Sequence, residues 1–62
     1  MTALPKLAAP ARRALAAADI STLEDLAQRS EADTAALHGM GPNAMATLRA
    51  AMTRAGLAFA KL

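Results

Sequence analysis

An all-α fold, a compact bundle of four to five short helices, is what this sequence predicts, and three observations carry the prediction. Large apolar residues recur at helical spacing within alanine-rich stretches. Serine or threonine followed three residues later by an acid marks helix starts. Proline and glycine fall where helices should open and close.

The first helix opens with Pro10 in its first turn, where a missing N–H costs nothing. ARRALAAA continues it in strong helix formers. Ala11, Ala14, Leu15 and Ala18 make its apolar stripe, and Arg12 and Arg13 fall to the flanks; DIS breaks the pattern. Ser21 with Glu24 gives a capping box for a second helix to about Gln28, and Thr22 with Asp25 offers the same box one residue on. Ile20, Leu23 and Leu26 supply its inward side. Ser30 and Asp33 repeat the pattern for a very short third helix ending at Leu37 or His38. These caps account for Glu24, Asp25 and Asp33, because negative charge stabilises a first turn.

A last helix runs from Pro42 to about Ala55, with Met45, Leu48, Met52 and Ala55 inward and Asn43, Thr47, Ala50 and Arg54 opposite. Gly56 should end it at positive φ, after which Leu57 and Phe59 return over the core. The remaining large core candidates are Leu4, Leu7, Leu37, Met40 and Leu62. Lys6 and Lys61 lie in segments expected to fray.

Sixty-two residues form one domain, residues 1–62 with an ordered core over about 7–60. So short a chain buries only about 60% of its unfolded surface and leaves no allowance for a deep substrate pocket. Without cysteine there is no disulfide or thiolate metal site, and the single histidine has no second nitrogen or sulfur ligand to join it. No nucleophile–base pair or phosphate-binding loop with lysine occurs, so no enzyme, cofactor, metal or small-molecule substrate is expected. No apolar run approaches a membrane span, and the arginines inside MTALPKLAAPARRALAAA argue against an export signal. The expected location is cytoplasmic.

Net charge is +2, but it is segregated. Lys6, Arg12 and Arg13 give residues 1–18 a charge of +3; Asp19, Glu24, Asp25, Glu31 and Asp33 against Arg29 give residues 19–33 a charge of −4; Arg49, Arg54 and Lys61 make the rest +3. Packing the two basic ends together would create a positive side suited to a polyanion.

Residues 37–48, LHGMGPNAMATL, sharpen that reading. Gly39 and Gly41 can turn the chain while Met40 plugs inward. A helix N-terminus follows at once, with unpaired amides and partial positive charge. Pro42 removes one donor, but the next amides stay free. Either the turn only joins two helices, or its backbone receives a phosphate oxygen.

This pattern resembles a helix-hairpin-helix motif, over about residues 31–55. Its wider setting, ALAAADISTLEDLAQRSEADTAALHGMGPNAMATLRAAMTRAGLAF, resembles the C-terminal domain of the bacterial RNA polymerase alpha subunit, a likeness spanning about residues 7–60. The resemblance implies a SAM-like helical bundle that binds the DNA minor groove or contacts other transcription proteins. It also implies a DNA side made of the first full helix, the hairpin and the start of the last helix. Gly41 matches the hairpin glycine that opens the last helix. Asn43 and Ala44 stand where the family usually has a basic and a small hydroxyl residue. Pro10 stands where it places its main minor-groove arginine, with Arg12 and Arg13 two and three residues further along as substitutes. Lacking an assembly domain, the chain reads as a free-standing small relative.

The candidate DNA-binding residues are therefore Arg12, Arg13, His38, Gly39, Gly41, Asn43, Ala44 and Thr47. With Phe59 as the single aromatic, stacking on single strands is disfavoured against contact with a duplex backbone. The expected function is weak, largely non-sequence-specific duplex DNA binding. The alternative is a protein-interaction or homodimerisation module in a transcription or DNA-processing complex, which the acidic middle segment supports.

Overall fold

Pro10 does fall in a first helical turn. In the computed structural model, which describes residues 2–61, helix α1 is Ala9–Ala17, followed by α2 (Leu23–Ala27), α3 (Glu31–Ala35) and α4 (Pro42–Arg54). No strand forms among the described residues; one isolated bridge joins Ala3 to Thr22. The radius of gyration is 10.1 Å, close to the roughly 10.6 Å expected of a compact domain of this length.

Both longer helices close in the same way. At the end of α1, Asp19 N–H donates to the Ala16 carbonyl and Ile20 N–H to the Leu15 carbonyl, at 3.1 and 2.9 Å. At the end of α4, Gly56 donates to Thr53 and Leu57 to Met52, at 3.1 and 2.8 Å. These are Schellman closures, which need a left-handed residue just past the helix. Gly56 supplies it at φ 72°, as its position predicts, and Asp19 supplies the other at φ 60°. Ala55, expected to face inward, is instead exposed as the cap of α4, because the helix stops one residue earlier.

The second helix resolves a choice that local pattern left open. Thr22, not Ser21, is the N-cap, with Asp25 N–H donating to Thr22 Oγ1 and Thr22 N–H to Asp25 Oδ2, both at 3.2 Å. Ser21 adds its own N–H and hydroxyl to the same Oδ2 at 3.0 and 3.1 Å. Glu24 is not part of a cap. Its two carboxylate oxygens accept from Thr2 N–H and Thr2 Oγ1, each at 2.7 Å, while Leu23 N–H donates to the Thr2 carbonyl at 2.9 Å. The segment ahead of α1 is thereby held well before Lys6. Towards the other end, Ala60 N–H donates to the Arg29 carbonyl at 2.8 Å.

These hydrogen bonds hold both carboxyl groups below their usual range: for Glu24 the Thr2 N–H and then the Thr2 hydroxyl, for Asp25 the Ser21 N–H and then the Ser21 hydroxyl. A carboxyl whose pKa is depressed by folding stabilises the fold above its unfolded pKa, and that contribution disappears as pH falls through the folded value. Melting temperature should therefore be lost as pH drops from about 4 downwards. A Glu24→Gln, Asp25→Asn double variant, melted in parallel across pH 2–6, should show a flatter acid limb; an unchanged limb would refute the assignment.

The third helix is capped by Ser30, whose hydroxyl accepts from Asp33 N–H at 3.0 Å. It ends at Ala35, short of the expected Leu37 or His38. Seven side chains form the core, Leu15, Ile20, Leu23, Leu26, Met45, Leu48 and Met52, with Leu4, Leu7, Leu37, Met40, Leu57 and Phe59 half-buried around them. Leu62 lies outside the described residues. Fully buried Thr34 satisfies its hydroxyl by donating to the Ser30 carbonyl at 3.2 Å. Among the described residues, no helix is long and apolar enough to cross a membrane.

Candidate nucleic-acid interface

The chain turns from α3 to α4 over six residues, 36–41, closed by Leu37 N–H to the Thr34 carbonyl and Met40 N–H to the Leu37 carbonyl, at 3.2 and 3.1 Å. Only one of its two glycines is needed for backbone conformation. Gly39 has φ 94°, in the left-handed region. Gly41 is extended, with φ −102° and ψ 173°, and a Cβ placed on it would meet nothing within 4 Å. Met40 is half-buried and packs on the core, so it plugs the turn as its apolar character suggested.

Gly41 is also the N-cap of α4, and no side chain caps that end. The helices opened by Thr22 and Ser30 both have one. Pro42 has no N–H, and the first helical bond in α4 is from Met45 N–H to the Gly41 carbonyl at 3.1 Å. The N–H groups of Asn43 and Ala44 thus have no acceptor among the described residues. These amides carry the positive end of a thirteen-residue helix. Asn43 and Thr47 are exposed one turn apart, and the Thr47 hydroxyl donates to the Asn43 carbonyl at 3.0 Å. Ala44 is half-buried.

Helix α1 comes up against this turn at its own first turn. A Cβ on Gly39 would stand 2.8 Å from the Pro10 carbonyl oxygen, so the two backbones touch where no side chain fits. Arg13, three residues beyond Pro10 and on the same helix face, lines a groove of about 410 Å³ with His38 and Gly39. Arg12 is exposed but lies outside that lining, about 100° further round the helix. The structure therefore gathers Arg13, His38 and Gly39, with Gly41, Asn43, Ala44 and Thr47 following directly along the chain. Arg12 is not among the residues that line the groove.

Two other arginines find internal partners. Arg49 pairs with Glu31 across α3 and α4. Arg29, which sequence reasoning treated only as one positive charge in an acidic segment, donates from Nη2 to the Ala18 carbonyl at 3.0 Å and lies 3.8 Å from Asp33 Oδ2. It also lines a second recess with Leu37 and His38. Its spacing of four from Asp33 was readable; its reach to the end of α1 was not. Among the described residues, no three of His, Asp and Glu gather as metal ligands.

Fold and surface together define a small all-α domain whose α1 and α3–α4 turn share a groove with a cationic rim. Compared with family models, curated proteins and solved structures, the chain matches none.

Proposed function

We propose that the chain binds duplex DNA weakly and largely without sequence choice, using α3, the turn and α4 as a helix-hairpin-helix. One observation carries this reading: the uncapped start of α4, with acceptorless Asn43 and Ala44 amides, follows directly on a turn whose groove Arg13 shares with His38 and Gly39. Backbone amides and a guanidinium both suit phosphate oxygens, which fix a protein on a duplex without reading bases. Asn43 and Thr47 extend the contact along the exposed side of α4, and Arg12 adds charge on the flank. The family resemblance supports the same face and a bacterial, cytoplasmic setting.

Three or four phosphate contacts make such binding modest and salt-sensitive. Affinity for a short duplex should fall about 40- to 150-fold between 50 and 200 mM salt, from a slope of roughly 0.9 per neutralised phosphate. Arg13→Gln should weaken binding at low salt and reduce that slope by about one. Fluorescence anisotropy with a labelled duplex reads both quantities. Absence of binding by the unmodified chain at 20 mM salt would end the proposal.

A further inference from the structure

Recesses of about 380 and 410 Å³ share Ala14, Ala17 and His38, and so form one open groove along α1. Its floor is laid by Pro10, Ala14, Ala17 and Ala18, one face of the helix, about 12 Å from end to end at 1.5 Å per residue. Leu37 and the His38–Gly39 turn make the other wall, and a guanidinium stands at each end, Arg13 by Gly39 and Arg29 by Ala18. Arg29 is already engaged by the Ala18 carbonyl and Asp33. Among the described residues nothing accepts a hydrogen bond from the Arg13 guanidinium, and no carboxylate lies within ion-pair distance of it.

We propose that this groove docks an acidic amphipathic helix of a partner protein, with an aliphatic side chain against Ala14, Ala17 and Leu37 and a carboxylate on Arg13. Charge complementarity gives the sign of the partner, and the middle of the groove gives the rest. An aliphatic side chain gains by leaving water there, and alanines let a partner helix approach closely. A phosphodiester backbone has nothing apolar to bury, and the groove offers no aromatic ring on which a base would stack. A second copy of the chain is poorly suited. Four of its five acids are engaged at home: Glu24 by Thr2, Asp25 by Ser21 and Thr22, Glu31 by Arg49 and Asp33 by Arg29. This surface overlaps the DNA reading at Arg13, His38 and Gly39, so peptide and duplex should compete there; the DNA reading adds the first turn of α4, and this one adds Ala17, Ala18 and Leu37.

The test is a titration of the isotope-labelled full chain, followed by NMR, with a helix-forming peptide carrying leucines four residues apart flanked by glutamates. The same peptide with glutamine for glutamate and a short DNA duplex are run beside it. Saturable shifts of the Ala14, Ala17 and Leu37 amides are expected with the acidic peptide, at least tenfold weaker with the glutamine peptide. Ala17→Gln, a helix-compatible change at an exposed position, should fill the groove and weaken peptide binding at least tenfold. It should leave a cooperative melt and weaken duplex binding far less than peptide binding. Equal binding of the two peptides, no shifts at those amides, the same shifts on raising the chain's own concentration, or duplex shifts centred on Ala14 and Ala17 would each overturn the proposal. Loss of duplex binding alone would count against the DNA reading and leave this one standing.

Discussion

Gly39→Ala is expected to destabilise the domain by about 2–4 kcal/mol, read as a shift in urea or thermal midpoint. Two effects add. A non-glycine residue at φ 94° carries a backbone penalty of about 1–2 kcal/mol, and the new methyl would sit 2.8 Å from the Pro10 carbonyl oxygen. That neighbour is backbone, so α1 itself has to move. Sixty-two residues at about 0.05–0.15 kcal/mol each give a total stability of only about 3–9 kcal/mol, so the variant should be partly unfolded at 37 °C. What remains folded should have the groove opened between Arg13 and His38. An unchanged midpoint would show that α1 and the turn are not in the contact described.

Leu48→Ala should be at least as damaging. Leu48 is fully buried at the inward face of α4, in the same cluster as Leu15, Leu26 and Met52. Removing a buried leucine side chain costs about 2–5 kcal/mol, depending on how far the neighbours relax into the space. The rest of that cluster is leucine, isoleucine and methionine, so only the flexible side chains of Met45 and Met52 can move readily into the space. A circular dichroism melt that lost cooperativity, or showed no folded baseline at 25 °C, is the expected outcome. A shift smaller than about 1 kcal/mol would mean that α4 does not anchor the core.

The comparison between residues and fold turns on how local each signal is. Gly56 was legible because the glycine type and the helix end coincide at one position. Asp19 performs the same closure and was not, since only the Ala16 and Leu15 carbonyls around it reveal the need for a left-handed residue. The two candidate capping boxes at Ser21 and Thr22 are nearly equivalent in sequence. Thr2, twenty-two residues from Glu24, engages that carboxylate and leaves Asp25 as the capping acid. At the candidate site, the turn and the open start of α4 could be read from glycine and proline. The division between Arg12 and Arg13 could not, because adjacent residues differ only in helical phase, and the position of Gly39 against Pro10 sets which phase faces the turn. Arg29 stayed hidden for the same reason: its partner carbonyl belongs to another helix.

The bare threshold of α4 has a further consequence. A serine or aspartate in place of Gly41 would offer its oxygen to the Asn43 and Ala44 amides, a gain of roughly a few tenths of a kcal/mol for a chain with little to spare. The same oxygen would occupy the seat proposed for a phosphate. Robustness and recognition pull against each other at that one residue, and glycine there keeps the seat vacant at the expense of a sturdier fold.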